Sequence, residues 1–349
     1  MQEAIDPTVS GAVTLAPVSG KTRLIDWEAR HREEPYALQP RIVACIDRST
    51  MDCKVVAHAK MVADRLGGAL ALAQVLEPAG SLDGPQDPLR WGVLRHRCRE
   101  RFDWVAAESA LSSEPEQILL EGKAADQLSR WAVENDASLI ALATHGEAWG
   151  TRAGLGSTAQ RLVELAPTSL LLVPPVAPEL PLYERLIVPL DGSCRAESVL
   201  PIVMALAKDR HTDVAIVHVV PQPQFTEVGP LEPEAIVLRE QLIRRNEQVA
   251  RTYIERVLRR LHLAGIQARP IIVHGDPRER LLQIATEEEG DLMVLAMQGQ
   301  SGRADVACGS VASYLAGHAV MPLLVLRNEE VVRVHAPRHR HERGVTQPS

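Results

Sequence analysis

Two stretches of this chain carry glycines at the same intervals, and that repeat constrains the fold more than any other feature. Gly146 is followed after nine residues by Gly156-Ser157, and Gly299 after nine residues by Gly309-Ser310. Each copy follows a short apolar run, Ser138-Leu-Ile-Ala-Leu-Ala143 or Asp291-Leu-Met-Val-Leu-Ala296, with the length of a buried strand. Each leads into a helix-compatible stretch, Ser157-Thr-Ala-Gln-Arg-Leu-Val or Ser310-Val-Ala-Ser-Tyr-Leu-Ala. A strand, a glycine-framed loop and a helix N-terminus bearing a hydroxyl suit an anion, because backbone N–H groups and the helix dipole both favour negative charge.

The halves align around these glycines. Gly122, Gly146 and Gly156 map onto Gly275, Gly299 and Gly309 with one offset of 153, whereas Asp47 maps onto Asp191 and Val75 onto Val219 with an offset of 144. The nine-residue difference is an insertion in the second copy between its second strand and Gly275, of a kind that loops and helix lengths absorb. Each copy reads as five strands alternating with helices. The first strands are Arg41 to Ile46 and Arg185 to Leu190, each running into an aspartate. Helices follow at Met51 to Leu66 and Ala196 to Asp209, with long helices later at Leu89 to Leu111 and Glu232 to Ala264.

This alternation predicts βαβ crossovers and an α/β fold of two tandem, doubly wound, parallel five-stranded sheets with helices on both faces. The expected organisation is a flexible arm over 1–38, a first domain over 39–175 with a degenerate site, a proline-rich linker over 176–184, a second domain over 185–328 and a disordered Arg/His-rich tail over 329–349. The linker belongs to the run Pro174-Pro-Val-Ala-Pro-Glu-Leu-Pro181, which reads as a stiff hinge.

Composition narrows the function classes. Aromatic residues are only 3% of the 349, so the cores must be built from Ala, Val, Leu and Ile, as in parallel strands buried on both faces. A net charge of −7 gives no footprint for nucleic acid or an anionic membrane, and no apolar run is long enough to span a bilayer. The N-terminal residues lack a secretory pattern. Five cysteines without paired or metal-ligand spacing read as reduced thiols, which points to the cytoplasm. There is no Gly-x-x-x-x-Gly-Lys-Ser/Thr loop, no Gly-x-Gly-x-x-Gly after a first strand and no Gly-x-Ser-x-Gly elbow. P-loop ATPases, dinucleotide-binding domains and serine hydrolases are thereby disfavoured.

The second copy resembles a universal stress protein domain over nearly its whole length. It has Asp191-Gly192-Ser193 after strand one, His218-Val219-Val220 ending strand two, then His274-Gly275-Asp276-Pro277, then Gly299-Gln-Ser-Gly with Gly309-Ser310. The first copy resembles the family more loosely, through Asp47, Thr144-His145-Gly146 and Gly156-Ser157. The family's nucleotide motif is Gly, two residues, Gly, nine residues, then Gly with Ser or Thr. Together the copies cover roughly 40–328, so the chain resembles a tandem universal stress protein of adenine nucleotide alpha hydrolase-like fold.

The resemblance implies an ATP site, with or without Mg²⁺, chiefly in the second domain. Its residues would include Pro189, Asp191, Gly192, Ser193, Val219 and Ala296, with Asp191 accepting hydrogen bonds from the adenosine part and the backbone of Val219 meeting adenine. Gly299 and Gly309 would let the triphosphate lie against the main chain, and the Ser310 and Val311 N–H groups would hold phosphate oxygens. The first domain offers Asp47, Val75, Ala143, Gly146, Gly156 and Ser157. Ala143 and Ala296 stand where the motif has its first glycine, and a Cβ there narrows the approach of a ligand to the backbone. Arg48 replaces Gly192 in the first copy and Trp149 sits within its loop, two bulky residues in the adenosine space.

The expected role is a cytoplasmic stress-response protein that binds ATP and signals through nucleotide-dependent contacts with protein partners, ATP favouring one arrangement of the domains. The chain carries no obvious general base or invariant lysine for phosphoryl transfer, so it is not expected to be an enzyme, and any hydrolysis should be slow. The rival is a nucleotide-free scaffold acting only through protein contacts. A ligating enzyme of similar fold would need a catalytic signature that is not there.

Four smaller features complete the reading. His145 beside the first loop is expected to cap a turn, and Cys308 to be a small packing residue rather than a reactive thiol. Glu287-Glu288-Glu289 reads as solvated surface, and His339 and His341 as part of a solvated tail. Leu323-Leu-Val-Leu326 is apolar enough for a homodimer edge, unless the two domains satisfy each other within one chain.

Overall fold

The computed structural model describes residues 39–77, 88–111, 113–145, 154–165, 168–208, 211–221, 233–300 and 307–327. The expected arm, the tail, Gly146 and Trp149 lie outside these residues. In the first half, β1 (Arg41–Cys45), α1 (Asp52–Leu66), β2 (Ala69–Leu76), α2 (Pro88–Glu108), β3 (Glu116–Glu121), α3 (Ala124–Glu134), β4 (Leu139–Ala143), α4 (Ser157–Leu165) and β5 (Ser169–Val173) follow in order. The second half repeats them as β6 (Arg185–Pro189), α5 (Cys194–Glu197), α6 (Leu200–Ala207), β7 (Asp213–Val220), α7 (Pro233–Leu263), β8 (Ala268–His274), α8 (Pro277–Glu287), β9 (Leu292–Ala296), α9 (Ser310–His318) and β10 (Leu323–Leu326).

The insertion inferred from the offsets falls on the long helix, which has 31 residues in α7 against 21 in α2. One expected helix is two. The stretch predicted from Ala196 to Asp209 breaks between α5 and α6, where Pro201 sits at the start of α6 and cannot donate a backbone hydrogen bond to a preceding turn.

Each half is parallel within itself, and the halves meet edge to edge. The strand order is β3-β2-β1-β4-β5-β10-β9-β6-β7-β8, a single ten-stranded sheet with only the β5–β10 junction antiparallel. In that junction Leu324 pairs with Leu171, and the flanking pairs are Leu323–Leu172 and Val325–Leu170. Leu171 and Leu324 are repeat equivalents at the offset of 153, so a pseudo-twofold axis passes through this pair. The apolar strand that suggested a homodimer edge is therefore covered by its own chain, and all four of its residues are buried.

Burial on both faces explains the aliphatic strands. Ile42, Ala44, Leu171, Val173, Leu186, Val188, Leu324 and Leu326 belong to one core layer, and Val43, Leu170, Leu172, Ile187, Leu323 and Val325 to the other. Alternate residues thus feed opposite faces, and each layer runs through both halves without interruption.

The proline-rich segment is a strap rather than a hinge. Lys54 of α1 donates to the Pro175 carbonyl at 2.7 Å and pairs with Glu179 at 3.1 Å. Arg65 donates to the carbonyls of Tyr183 and Leu206, each at 2.9 Å, and also to that of Leu182. His58, fully buried, reaches the Pro178 carbonyl at 2.9 Å through Nε2 and the Tyr183 hydroxyl at 2.7 Å through Nδ1. Composition alone suggested stiffness, but the anchoring polar side chains come from residues more than a hundred positions away.

Candidate functional site

In an open α/β sheet, ligands bind beyond the strand C-termini, where the strand order reverses. In the second half that point lies between β6 and β9, whose paired register spans only Leu186–Leu292 and Ile187–Met293. The corresponding pairing of β1 with β4 runs one residue further, through Ala44–Ala141. The crevice of the second half thus opens one residue earlier. Because β5 and β10 are antiparallel, the two crevices face opposite edges of the sheet.

Pro189 ends β6, Val219 lies near the end of β7 opposite Val273, and Ala296 ends β9 opposite Leu326. Asp191 and Gly192 are exposed just past β6. Gly192 takes φ +87°, a left-handed conformation that glycine adopts without penalty. Asp191 Oδ1 accepts from the Ser193 N–H at 2.9 Å and from its hydroxyl at 2.6 Å, while Ser193 Oγ caps α5 by accepting from the Ala196 N–H at 3.0 Å. Asp191 Oδ2 crosses the crevice and accepts from the Gln300 N–H at 2.6 Å.

The glycines are tied to this geometry. A Cβ on Gly299 would stand 2.2 Å from Asp191 Oδ2, an impossible contact. Gly309 donates its N–H to the Met297 carbonyl at 2.8 Å, and a Cβ there would press on the same oxygen at 3.2 Å. Gly309 is the N-cap of α9, so exposed Ser310 and half-buried Val311 open that helix with their N–H groups at its positive end. Asp191, Gly299, Gly309, Ser310 and Val311 therefore converge at one sheet edge, where a Cβ on Gly299 would collide with Asp191 and one on Gly309 would crowd the Met297 carbonyl. The N–H groups that open α9 are donors of the kind that suits an anion. Ala296 is the last residue of its strand and leaves the loop geometry intact.

The first half repeats the frame. Gly156 donates to the Thr144 carbonyl at 2.8 Å, as Gly309 does to Met297, and Ser49 N–H reaches Asp47 Oδ1 at 3.0 Å, as Ser193 reaches Asp191. Ser157 opens α4, Val75 pairs with Leu120 and Ala143 with Val173. Arg48 takes φ +69° at the Gly192 position, so a side chain sits where the backbone favours glycine. His145 lies against the Thr144 hydroxyl at 3.0 Å, in line with a local turn role.

Several residues at these crevices were not anticipated. Tyr253 of α7 is one of only four tyrosines in an aromatic-poor chain, which is the one signal that could have singled it out. Its hydroxyl is buried beside the Gly192 backbone, its ring centroid is 5.8 Å from that of His218, and burial pushes its pKa above the ordinary tyrosine value. His218 in turn contacts the Leu190 carbonyl at 2.7 Å through Nδ1. In the first half, buried Asp52 accepts from the Asp47 N–H at 3.0 Å and from Arg101 Nε at 2.8 Å. Arg101 also donates to the Ser49 carbonyl at 2.8 Å and stacks on Trp104 at 4.3 Å. Burial lifts Asp52 to about 6, outweighing Arg101 and the backbone hydrogen bond, which both act to lower it.

Two minor expectations resolve. Burial pushes the Cys308 thiol up to about 11, which fits a packing residue despite its place before a helix. In the acidic run Glu287 and Glu289 are exposed, as expected, and Glu288 is half-buried. Glu288 pairs with Arg269 at 2.5 Å and Glu289 with Arg185 at 2.6 Å, tying the end of α8 to the strand edge. Among the described residues, no group of three His, Cys, Asp or Glu side chains is poised for a metal, and no helix is long and apolar enough to cross a membrane.

A model of the Universal stress protein family matches residues 40–174 and again 182–327. Universal stress protein MJ0577 of Methanocaldococcus jannaschii is 23% identical over 157 residues, covering 42% of this chain and 97% of its own. A universal stress protein of Thermus aquaticus is 32% identical over 135 residues, 38% of this chain and 96% of its own. The crystal structure of a universal stress protein from Archaeoglobus fulgidus superposes with a TM-score of 0.56 over 82% of this chain and 98% of its own. At 16% identity that match speaks to the fold.

Proposed function

Because the chain belongs to the universal stress protein family and carries its match twice, we propose that it is a cytoplasmic stress-response protein that binds ATP in its second half and signals occupancy to protein partners. The observation that carries this reading is the pair of close approaches at the β6–β9 crevice, Gly299 against Asp191 and Gly309 against the Met297 carbonyl. Glycine at both positions brings the main chain up to the edge of the cradle, and the α9 N-terminus supplies N–H groups for phosphate oxygens. Asp191 would turn to the adenosine part and release the Gln300 N–H, while Val219 offers its backbone to the base. Any Mg²⁺ would be held mainly by the phosphates, as is usual for this ion.

The halves share one sheet and are strapped by the Tyr183 segment. The nucleotide-dependent change therefore belongs at Gly299, Gln300 and α9, not in a swing of one half against the other. The reading assigns binding rather than catalysis, with ATP turnover slow or absent.

Freshly purified protein, denatured and resolved by chromatography and mass spectrometry, should release about one adenine nucleotide per chain. Protein stripped of it should bind ATP by calorimetry, with cAMP as the comparison ligand, and Gly309→Val should weaken ATP at least tenfold. Absence of released nucleotide together with absence of binding heat for ATP and cAMP, or unchanged affinity in Gly309→Val, overturns the reading. The nucleotide-free scaffold is favoured by one observation, the Gln300 N–H already bonded to Asp191 Oδ2, and is the conclusion if those measurements fail.

A further inference from the structure

The two halves keep the same loop frame but line it differently. The buried stripes of the long helices match residue for residue: Cys98 with Ala250, Phe102 with Ile254 and Val105 with Val257, a step of 152 each time. That step places Arg101 at the position of Tyr253 and Trp104 at that of Arg256. The aromatic–cation pair is inverted between the halves: Arg101 lies over Trp104 at 4.3 Å, and Arg256 over Tyr253 at 5.4 Å. On the facing helix the offset of 144 sets Asp52 against Ala196, and on β2 it sets Gln74 against His218.

The consequence is physical. In the first half, Arg101 and Asp52 form an ion pair, with Asp52 only 1% exposed, directly beneath the loop after β1. Asp52 accepts from the Asp47 N–H, Arg101 donates to the Ser49 carbonyl, and Ser49 Oγ accepts from the Met51 N–H at 3.1 Å. The loop's polar groups are thus turned inward to a buried charge pair. In the second half Ala196 adds no charge, and the corresponding tie moves out to Glu197, which pairs with Arg256 at 2.6 Å on the exposed side. The wall beside Gly192 is then formed by the rings of Tyr253 and His218, with centroids 5.8 Å apart, an aromatic surface that a purine can pack on.

We infer that positions 48/192, 52/196 and 101/253 decide which half accepts an adenine nucleotide, with Arg48 and the Asp52–Arg101 pair closing the first crevice and Gly192, Ala196 and Tyr253 leaving the second open. This rests on the nucleotide reading above and adds to it the side chains that set its stoichiometry. A buried pair is removed safely only when both partners go, because a single deletion leaves an uncompensated charge. The test is therefore an exchange.

The triple change Arg48→Gly, Asp52→Ala, Arg101→Tyr in the first half should raise ATP bound per full-length chain from one to two. Ala196→Asp with Tyr253→Arg in the second half should lower it from one to none, with the thermal transition retained. Stoichiometry comes from calorimetry on nucleotide-stripped protein and from mass spectrometry. Wild-type protein that binds two ATP overturns the inference while leaving the nucleotide reading intact, as does a folded triple variant that still binds one. Wild-type protein that binds none overturns the nucleotide reading itself, and the determinant with it. Should the second-half variant fail to fold, the first-half exchange decides alone, since misfolding cannot create a site.

Discussion

Tyr183→Phe tests whether the strap between the halves is structural. Tyr183 is fully buried, and its hydroxyl stands 2.7 Å from His58 Nδ1. The direction of that hydrogen bond follows from the other ring nitrogen. His58 Nε2 is 2.9 Å from the Pro178 carbonyl, which only accepts, so Nε2 carries the hydrogen. Burial lowers the His58 pKa to about 4, and the imidazole is neutral at pH 7. Nδ1 is therefore the acceptor, and the Tyr183 hydroxyl donates.

Phenylalanine keeps the ring and leaves no large cavity, but it strands a buried acceptor, which costs about 1–3 kcal/mol. The assay is urea unfolding followed by circular dichroism and tryptophan fluorescence. Because the sheet and both core layers run through the two halves, both probes should report one transition, displaced to lower urea in Tyr183→Phe. In a double-mutant cycle with His58→Leu, the second substitution should cost about 1 kcal/mol less than when made alone. Additive costs, an unmoved midpoint, or two transitions of which one shifts would refute the reasoning.

Two further outcomes follow from the buried ionisable groups. His58 binds its proton near 4 when folded, against 6.5 in the unfolded chain, so stability should fall as pH drops through that window, by on the order of 3 kcal/mol over the full shift. Asp52 acts in the opposite sense. Its folded value of about 6 lies above the unfolded 3.8, so protonation between those values adds stability. Asp52→Asn should therefore make the loss between pH 6 and 4 steeper than in wild type, measured as urea midpoints at several pH values; an unchanged slope would refute the assignment. A thiol reagent should modify exposed Cys194 rapidly in the native protein, while buried Cys98, and half-buried Cys45 and Cys308, whose thiols desolvation lifts to about 12 and about 11, should react only on unfolding. Fast native labelling of Cys308 would contradict its role as a packing residue.

How far the sequence could be read depends on the range over which each interaction acts. The glycine spacing was legible because a loop between a strand and its next helix is local: Gly309 bonds to Met297 and Gly156 to Thr144 within thirteen residues. The break at Pro201 was also local and was passed over, since the apolar residues on either side mimic one helix. The runs Leu170 to Val173 and Leu323 to Leu326 announce burial on both faces, but burial is blind to direction, so an antiparallel join at Leu171–Leu324 could not be read from them. Residues brought together across the chain were harder still. The Asp52–Arg101 pair becomes visible as the counterpart of Ala196 and Tyr253 only when the long helices are matched by their buried stripes, because the insertion in α7 disrupts the alignment of that segment. Glycines thus mark where a cradle is built, whereas on the proposed reading its occupancy depends on side chains that arrive from helices aligned by packing. A repeat that keeps the first and changes the second can hold its fold in both halves and its ligand in one.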